Sequence, residues 1–424
     1  MRRWAAAVGR WEWAILLLLL PLLLLPAGVT SLALLLLPLL WGVQWLGGGM
    51  PFPRTPYRLA LLLLAVMMLA SLAAVFDIGL SFPKLAGLVM GIALFGGAVR
   101  FGRRQARGLT YLAGFFLLGG AGMALVGLLG TEWMGPFTGL NRLRGVLPAA
   151  VSTIPGTLNG VINPNELAGV LNWVAPVSVA LTLLLAREMV GRRRWVWLLL
   201  AGMSLLTTGI LVATLSRGGI LSLGISLMVM LAVQTRWGRW LLLLAAVGGI
   251  ILAFQLNLFT LFAGDPQAGG ATLGLDGRLE IWSRALYGLQ DFPFTGMSMN
   301  GFRRVVHVLY PLFLISPDVD IVHAHNHLLQ AGLDLGLPGL VAYLALWWIS
   351  GVLLWQTWRR VEDPWSRALA LGLIGALAGG WSFGMLDAIT LGARPGFMWW
   401  LLLAMVVLLH ERVMAAAKVG GIRP

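Results

Sequence analysis

The fold of this chain is decided by residues 323–358, which read HAHNHLLQAGLDLGLPGLVAYLALWWISGVLLWQTW. Three of the five histidines lie in the first five residues of this stretch, where a polar loop enters a long apolar run. Polar and ionisable side chains are costly to bury at membrane depth, so a concentration of them marks a functional site by default. We therefore expect this chain to carry out chemistry at a membrane surface.

The composition of the whole chain indicates a polytopic integral membrane protein. Hydrophobic residues make up 59% of the 424 residues, charged residues only 11%, and there are 20 tryptophans. A soluble globular domain carries about 25% charged residues. The chain contains no cysteine, which excludes disulfides, a thiolate nucleophile, a cysteine-ligated zinc site and an iron–sulfur cluster.

Apolar runs of about 20 residues between charges predict transmembrane helices. They predict an all-α protein of about twelve such helices. Helices one to nine and an outer loop at 130–164 occupy 1–263, an extracytoplasmic loop with short helices occupies 264–336, and the last three helices and a cytoplasmic tail occupy 337–424. The predicted spans are 12–27, 29–46, 58–76, 84–100, 108–129, 165–186, 194–213, 217–235, 239–263, 337–358, 365–387 and 395–413.

The basic residues predict the orientation of the chain. With both termini in the cytoplasm, nine of the 30 basic residues fall on the outer side and 30 − 9 = 21 on the cytoplasmic side, as the positive-inside rule requires. The net charge of +14 then reflects contact with anionic inner-leaflet lipids and gives no support to a nucleic-acid partner. The nine outer residues are Lys84, Arg142, Arg144, Arg217, Arg278, Arg284, Arg303, Arg304 and Arg394.

The outer segments contain the motifs of greatest interest. The first ends in Ile162-Asn163-Pro164-Asn165-Glu166, where Pro164 suits the first turn of a helix and Asn163 its N-cap. In the second, apolar positions spaced for one buried face predict an amphipathic helix from Asp276 through Arg284. Between them, Ser216-Arg217-Gly218-Gly219 puts a lone arginine at the end of an apolar helix. Such an arginine needs a counter-charge or an anionic ligand.

Four patterns occur in a specific order on the predicted outer face. They are Asn163-Pro164-Asn165-x-Leu-Ala168, Ser216-Arg217-Gly218-Gly219, Gly277-Arg278-x-x-x-Trp282 leading to Pro-x-x-Gly at 293–296, and His325-Asn326 followed by Gly336. Over roughly residues 60–410, the chain in this way resembles the O-antigen ligase and O-antigen polymerase family of membrane glycan transferases. His327 has no counterpart in that pattern.

The resemblance implies a GT-C-like fold in the bacterial inner membrane, with the active site facing the periplasm or the cell exterior. It implies a donor glycan on undecaprenyl pyrophosphate, a glycan or lipid acceptor, and catalysis without cofactor or obligatory metal. Ligation to a lipid core, polymerisation of repeat units and transfer to protein share the donor half-reaction, so the acceptor stays open.

The residues suit this chemistry independently of the resemblance. Transfer of a sugar from a polyprenyl diphosphate needs a base for the incoming hydroxyl and positive charge for the departing diphosphate. His325 suits the base, and Arg217 and Arg278 suit the diphosphate, because a guanidinium donates two parallel hydrogen bonds and stays charged. The predicted substrate-binding residues around this catalytic set are Arg142, Arg304, Arg303, Asn326, His323, Trp282 and Asn165.

The histidines also suit two other roles. His325 could anchor its loop against Asp318 or Asp320. In an extended segment all three histidines would face one way, and with one of these aspartates they could hold a metal ion.

The outer arginines and the protein class leave further alternatives open. Arg303, Arg304 and Arg142 could contact lipid headgroups or loop carboxylates, and Glu166 and Asp387 could neutralise arginines or orient an acceptor. A lipid-linked glycan flippase or another transporter would share the composition, but transporters usually show internal repeats and polar helices near the midplane. Neither feature is evident in this sequence.

Overall fold

The computed structural model describes residues 11–24, 36–47, 50, 52–146, 162–255, 275–389 and 391–419. These residues form helices, and within them the only strand-like pairing is a single bridge between Thr131 and Ile162. The predicted all-α class is thereby confirmed for the described part of the chain. The predicted outer loop at 130–164 contains a 3₁₀ helix at Gly135–Val146, and its residues 147–161 lie outside the described part.

Fourteen α-helices run through the described residues. They are α1 (Glu12–Leu24), α2 (Leu36–Leu46), α3 (Arg58–Ser71), α4 (Ile78–Arg104), α5 (Gly108–Gly130), α6 (Pro164–Leu184), α7 (Arg194–Ala213), α8 (Arg217–Gln234), α9 (Arg236–Gln255), α10 (Leu275–Asp291), α11 (Gly301–Leu309), α12 (His327–Trp358), α13 (Pro364–Gly384) and α14 (Phe397–Val419).

Seven of the described helices are long and apolar enough to cross a membrane, namely α4, α5, α6, α7, α8, α12 and α14. The prediction of a membrane protein is thus supported. Each of the other five predicted spans overlaps a helix, which is α1, α2, α3, α9 or α13; parts of 12–27, 29–46 and 239–263 lie outside the described residues. Their membrane crossing, the total of twelve spans and the division at 263/264 and 336/337 stay predictions.

Small residues allow the central helices to pack closely. Helices α6 and α13 lie against each other, and a Cβ added to Gly372 of α13 would come within 2.6 Å of the Cα of Val177 in α6. Small residues favour helix association in membranes because they let the backbones approach. A continuous buried core that includes Val177, Leu373 and Trp399 joins α6, α13 and α14.

The helix that follows the histidines is broken at Gly336, where φ is 72° and ψ is 177°. The turn at 293–296 fills the break: the Leu337 amide donates to the Pro293 carbonyl at 2.7 Å, and the Met297 amide donates to the Leu333 carbonyl at 2.6 Å. A Cβ at Gly336 would lie 2.2 Å from the Phe294 carbonyl oxygen. The kink therefore needs glycine for its positive φ and for this close approach. The Pro-x-x-Gly turn at 293–296 and Gly336 occur together because the turn packs into the break that Gly336 makes.

The predicted amphipathic helix is confirmed as α10, although the structure extends it to Asp291. Its buried face contains Ile281, Ala285 and Leu289. This face packs against α11 and the segment at 310–324 in a hydrophobic cluster separate from the core of the bundle. We call α10, α11 and residues 310–326 the cap, because α10 and α11 pack on α12, whose Leu333 belongs to the same hydrophobic cluster.

Candidate active site

The site forms where the loop before α12 meets the turn that follows α13. His323 Nε2 lies 3.2 Å from Asp387 Oδ1, and His325 Nδ1 lies 3.8 Å from the same oxygen. The two imidazole rings are 4.4 Å apart and nearly edge to face. Residues more than 60 positions apart in sequence are thus combined into one polar cluster, which we call the histidine pocket: His323, His325 and Asp387.

The backbone of the histidine loop holds both rings in defined orientations. The amide of His325 donates to His323 Nδ1 at 3.2 Å, so a neutral His323 carries its proton on Nε2. That proton then points to Asp387 Oδ1, which also accepts from the amide of Ala388 at 2.8 Å. His325 itself has a left-handed φ of 48°. Such a conformation is strained for a residue other than glycine and is typical of functional sites.

Asn326 ends the loop and starts α12. Its side-chain Oδ1 accepts from the amides of Leu328 and Leu329 at 2.9 and 3.1 Å, and its Nδ2 donates to the Met385 carbonyl at 3.3 Å. The first contacts cap the helix, and the last ties the loop to the end of α13. Asn326 was predicted to bind substrate; in the structure its side-chain amide makes the three contacts above, and substrate binding stays a prediction.

The cap brings an arginine and a tryptophan to the same place. Arg278 and Trp282 are four residues apart on α10 and therefore lie on one face of it. The Nε of Arg278 and the Nε1 of Trp282 are buried and have no hydrogen-bond partner among the described residues. Buried donors are nearly always paired in folded proteins. Two such donors lie on the face of α10 that carries Arg278, whose charge acts on His323 and His325, and they are available to donate hydrogen bonds to a bound molecule.

The two predicted catalytic arginines, Arg217 and Arg278, are close enough for their charges to interact. Burial lowers the pKa of the Arg278 guanidinium, Asp387 opposes this effect, and Arg217 adds to it. Arg217 is the first residue of α8, directly after Ser216, whose hydroxyl caps that helix by accepting from Gly219. The capped start of α8 thus holds an arginine whose charge acts on Arg278 of α10. A guanidinium stays charged even when its pKa falls, so this end of the pocket is suited to an anion.

Burial favours the neutral form of both histidines of the pocket. Burial lowers the pKa of His325 to about 3, and the neighbouring His323 contributes to the decrease while Asp387 opposes it. Burial likewise lowers the pKa of His323, again against the effect of Asp387. A neutral imidazole can accept a proton, and one that gains it here would lie beside the carboxylate of Asp387.

Part of the chain, including both histidines of this site, is similar to a known protein family. Residues 202–344 match a family model described as O-antigen ligase. This segment is similar to the O-antigen ligase family. It includes Arg217, Arg278 and His325, and it confirms the resemblance inferred from the sequence. The match covers about a third of the chain, and the chain matches no curated protein.

The O-antigen ligase segment also contains His327, whose role the sequence left open. The three histidines do not face one way, because the backbone turns at His325 and His327 is the first residue of α12. Its Nδ1 is 2.8 Å from the Tyr343 hydroxyl, and its ring lies edge to face against Trp347 and Trp381. His327 is therefore part of an aromatic core outside the histidine pocket.

Two arginines of the ligase-family segment contact loop carboxylates. Arg303 Nε donates to Asp320 Oδ1 at 2.8 Å, and Arg304 Nε lies 3.7 Å from Asp77 Oδ2 with 62% of its side chain exposed. These are the loop contacts that the sequence left open as an alternative to substrate binding. Asp320 is thus engaged by Arg303, and the carboxylate beside His325 is Asp387, not Asp318 or Asp320.

The remaining predicted residues lie upstream of the ligase-family segment. Asn163 caps α6 as predicted, with its Oδ1 accepting from the Asn165 amide at 2.8 Å, and Pro164 is the first residue of that helix. Arg142 is exposed on the 3₁₀ helix that precedes it. Roles for Arg142 and Asn165 in substrate binding stay predictions.

The side chains of the histidine pocket are also arranged in a way that suits a metal ion. Among the described residues, His323, His325 and Asp387 form the group whose potential ligand atoms lie within 4.8 Å of one another. Two imidazoles and a carboxylate make up a known ligand set for catalytic zinc. The short contact between His323 and Asp387 and the neutral state of both rings are equally consistent with a hydrogen-bonded pocket without a metal.

Sequence reasoning did not identify Asp387 as a site residue. An aspartate that directly follows an apolar helix was visible in the sequence and was assigned to neutralising arginines or orienting an acceptor. The structure shows what the sequence could not, namely that Asp387 lies at the end of α13 opposite the loop before α12.

Proposed function

We propose that this protein is a membrane glycosyltransferase that moves a glycan from undecaprenyl pyrophosphate to a hydroxyl of an acceptor glycan or lipid. The match of residues 202–344 to the O-antigen ligase family supports the reaction class. The observation that carries the proposal is the convergence of a neutral His325, the carboxylate of Asp387 and two arginines at one end of the bundle.

In the proposed reaction, His325 acts as the general base. Its Nδ1 lies on the side of Asp387, which leaves Nε2 for the acceptor hydroxyl. The hydroxyl proton moves to His325 as the acceptor oxygen forms a bond to the anomeric carbon of the sugar. The bond between that carbon and the diphosphate oxygen breaks, and its electron pair leaves with undecaprenyl diphosphate. Attack opposite the leaving group inverts the anomeric configuration.

The two arginines stabilise the charge that builds on the leaving diphosphate. Arg278 offers a buried Nε–H without a partner among the described residues, and Arg217 lies close enough for its charge to act on Arg278. Fixed donors aimed at developing charge are usually the largest contribution to catalysis, and removal of one costs about 2.7–4 kcal/mol of transition-state stabilisation. Trp282, one turn along α10 from Arg278, offers its indole N–H to a sugar hydroxyl.

The negative charge of the donor also affects the base. In the free protein burial lowers the pKa of His325 to about 3, which makes it a weak base. A diphosphate bound at Arg217 and Arg278 cancels their positive charge and adds its own negative charge, and both changes favour the protonated imidazole. The base therefore becomes stronger once the donor is bound. Asp387 then stabilises the imidazolium that forms.

The active-site end of the bundle faces the periplasm or the cell exterior in this proposal, in a GT-C-like fold with both termini in the cytoplasm. The reaction needs no metal and no nucleotide sugar. The same observations suit a ligase and a polymerase, because both use this donor half-reaction.

Transfer by the purified protein tests the proposal. The protein is reconstituted in vesicles with an undecaprenyl-pyrophosphate oligosaccharide, an acceptor glycolipid and EDTA, and product is compared between wild type and Arg217→Ala. We expect metal-independent product from wild type and loss of product in the variant. Undecaprenyl diphosphate should be released in equal amount. Movement of the donor across the vesicle without product would contradict the proposal and favour a flippase.

A further inference from the structure

A second polar network lies behind the histidine pocket and is centred on Asp334. This carboxylate is 1% exposed and belongs to α12. Its Oδ2 accepts from Lys84 Nζ at 2.6 Å, and its Oδ1 accepts from Gln330 Nε2 at 2.8 Å and from the Asn300 amide at 3.2 Å. One buried carboxylate thus joins α4, the turn before α11 and the first part of α12.

Gln330 connects this carboxylate to the histidine loop. While its Nε2 donates to Asp334, its Oε1 accepts from the amide of Ala324 at 2.8 Å. Ala324 lies between His323 and His325 and is fully buried. Both polar atoms of the Gln330 side chain are therefore used, and the chain of contacts ends one residue before the proposed base.

The histidine loop needs such support because of its backbone. The φ of 48° at His325 costs about 1–3 kcal/mol and persists only where surrounding contacts enforce it. On one side Asn326 holds the loop through its cap of α12 and its bond to Met385. On the other side, the hydrogen bond from Ala324 to Gln330 holds the residue before the strained one.

Asn300, which directly precedes α11 of the cap, adds two hydrogen bonds to the network. It has a φ of 60°, and its Nδ2 donates to the Leu80 carbonyl of α4 at 2.9 Å while its amide donates to Asp334. Asp334 thereby accepts hydrogen bonds from both sides of the cap–bundle contact. A buried ion pair contributes little to stability by itself, because desolvation offsets the attraction. Its value here lies in fixing geometry.

We infer that Asp334, through Gln330 and Ala324, is a positioning residue that holds His325 in its reactive orientation, and that Lys84 fixes Asp334. This inference rests on the proposed function. Asp334 and Gln330 act through the loop and take no part in proton transfer.

The decisive variant is Gln330→Met, which has a similar length, removes both hydrogen bonds and leaves the Lys84–Asp334 pair in place. We expect kcat for glycan transfer to fall by about a hundredfold, as small misplacements of a catalytic group can do, with KM for the donor within about twofold. Asp334→Asn should act in the same direction. Lys84→Arg should retain more activity than Lys84→Met, because the arginine keeps the charge opposite Asp334.

A double-mutant cycle separates positioning from general damage. If Gln330 acts through His325, Gln330→Met should reduce the residual activity of His325→Ala by less than about twofold, because effects of residues that act as a unit are not additive. A full hundredfold further loss in the His325→Ala background would overturn the inference. So would a Gln330→Met protein with the kcat of wild type.

The chain offers a matched control in the buried ion pair between Arg100 and Glu12. Arg100 lies on α4, as Lys84 does, but 100 − 84 = 16 residues further along, or about 24 Å of helix. Glu12→Gln removes a buried charge of the same kind at the other end of the bundle. It should leave kcat and KM unchanged.

A readout without activity keeps this inference separate from the proposed function. Carbethoxylation of the five histidines by diethyl pyrocarbonate is followed by mass spectrometry, residue by residue, in wild type, Gln330→Met and Glu12→Gln. We expect modification of His323 and His325 to become at least about fivefold faster in Gln330→Met only, since released imidazoles are more accessible. Unchanged rates would overturn the inference even if transfer activity were absent from every protein. Faster modification without any transfer by wild type would retain the network and refute the proposed function.

Discussion

His325 and His327 are separated by one residue, yet they lie in opposite kinds of surroundings. His325 is beside a carboxylate, under the influence of Arg278, and its Nδ1 has no hydrogen-bond partner among the described residues. His327 bonds to the Tyr343 hydroxyl and is enclosed by aromatic rings. The left-handed backbone at His325 separates the two environments. In the proposed mechanism, the charge around an imidazole, more than the imidazole itself, therefore distinguishes the base His325 from His327.

Among the variants that test the difference between His325 and His327, removal of the charge near His325 should have the largest effect on transfer activity. Arg278→Gln should lower kcat/KM for the lipid-linked donor by about 10²–10³, because a fixed donor to the leaving diphosphate is lost. Arg284→Gln is the matched control on the same helix: Arg284 Nε donates to the Pro311 carbonyl at 2.7 Å and lies near Glu280. Steady-state transfer assays at equal protein levels should show the control within about threefold of wild type. Equal losses in both variants would remove the special role of Arg278.

Removal of the carboxylate charge of the histidine pocket should lower kcat by a smaller factor. Asp387→Asn keeps the shape but removes the charge that stabilises a protonated His325, so kcat should fall by about tenfold to a hundredfold. Asp318→Asn changes an exposed carboxylate in the same loop segment and should have no effect. If the two variants behave alike in single-turnover transfer, Asp387 has no part in the reaction.

The aromatic surroundings of His327 predict a change in stability instead of activity. His327→Ala leaves a cavity among Tyr343, Trp347 and Trp381 and should destabilise the protein by about 2–4 kcal/mol, the range for truncation of a large buried side chain. His327→Phe should restore much of the lost stability. Thermal unfolding in detergent measures the effect, and kcat of the folded fraction should stay near that of wild type. A large loss of kcat with an unchanged unfolding temperature would place His327 in the active site.

The smallest expected effect is in the pH dependence of the free enzyme. Burial lowers the pKa of His325 to about 3, and the base must be neutral to act. The active form is therefore fully present well above that pKa and is lost only as the pH falls toward it. Between about pH 5 and 8, log kcat/KM, which reports groups of the free enzyme, should show no inflection from this histidine. An inflection near pH 6.5 that disappears in His325→Gln would contradict the assigned environment.

The sequence predicted most of the helices because length and hydropathy alone place them. Each of the twelve predicted apolar runs overlaps a helix among the described residues, and the predicted start of the tenth run at 337 falls directly after the break at Gly336. Periodicity likewise found the buried face of α10. These features depend on residues that are close together in the sequence. A single sequence therefore holds the information needed to predict them.

The site was only partly predictable because it depends on contacts between distant segments. The family patterns pointed to His325, Arg217 and Arg278, which the structure places at one end of the bundle. The direction of His327 depended on one backbone angle at His325, and spacing could not reveal it. The partnership of Asp387 with the histidines and that of Lys84 with Asp334 depend on helix packing, for which a single sequence holds no direct signal.

Glycan transfer in EDTA by His325→Ala and His327→Phe, each compared with wild type in the same vesicles, tests the central claim most directly. We expect wild type and His327→Phe to form product from the undecaprenyl-pyrophosphate donor without metal. Folded His325→Ala should lose at least about a hundredfold in rate, as expected for loss of a general base. Product formation by His325→Ala at the wild-type rate would contradict the account. So would a requirement for zinc by wild type, since the pocket of His323, His325 and Asp387 would then be a metal site.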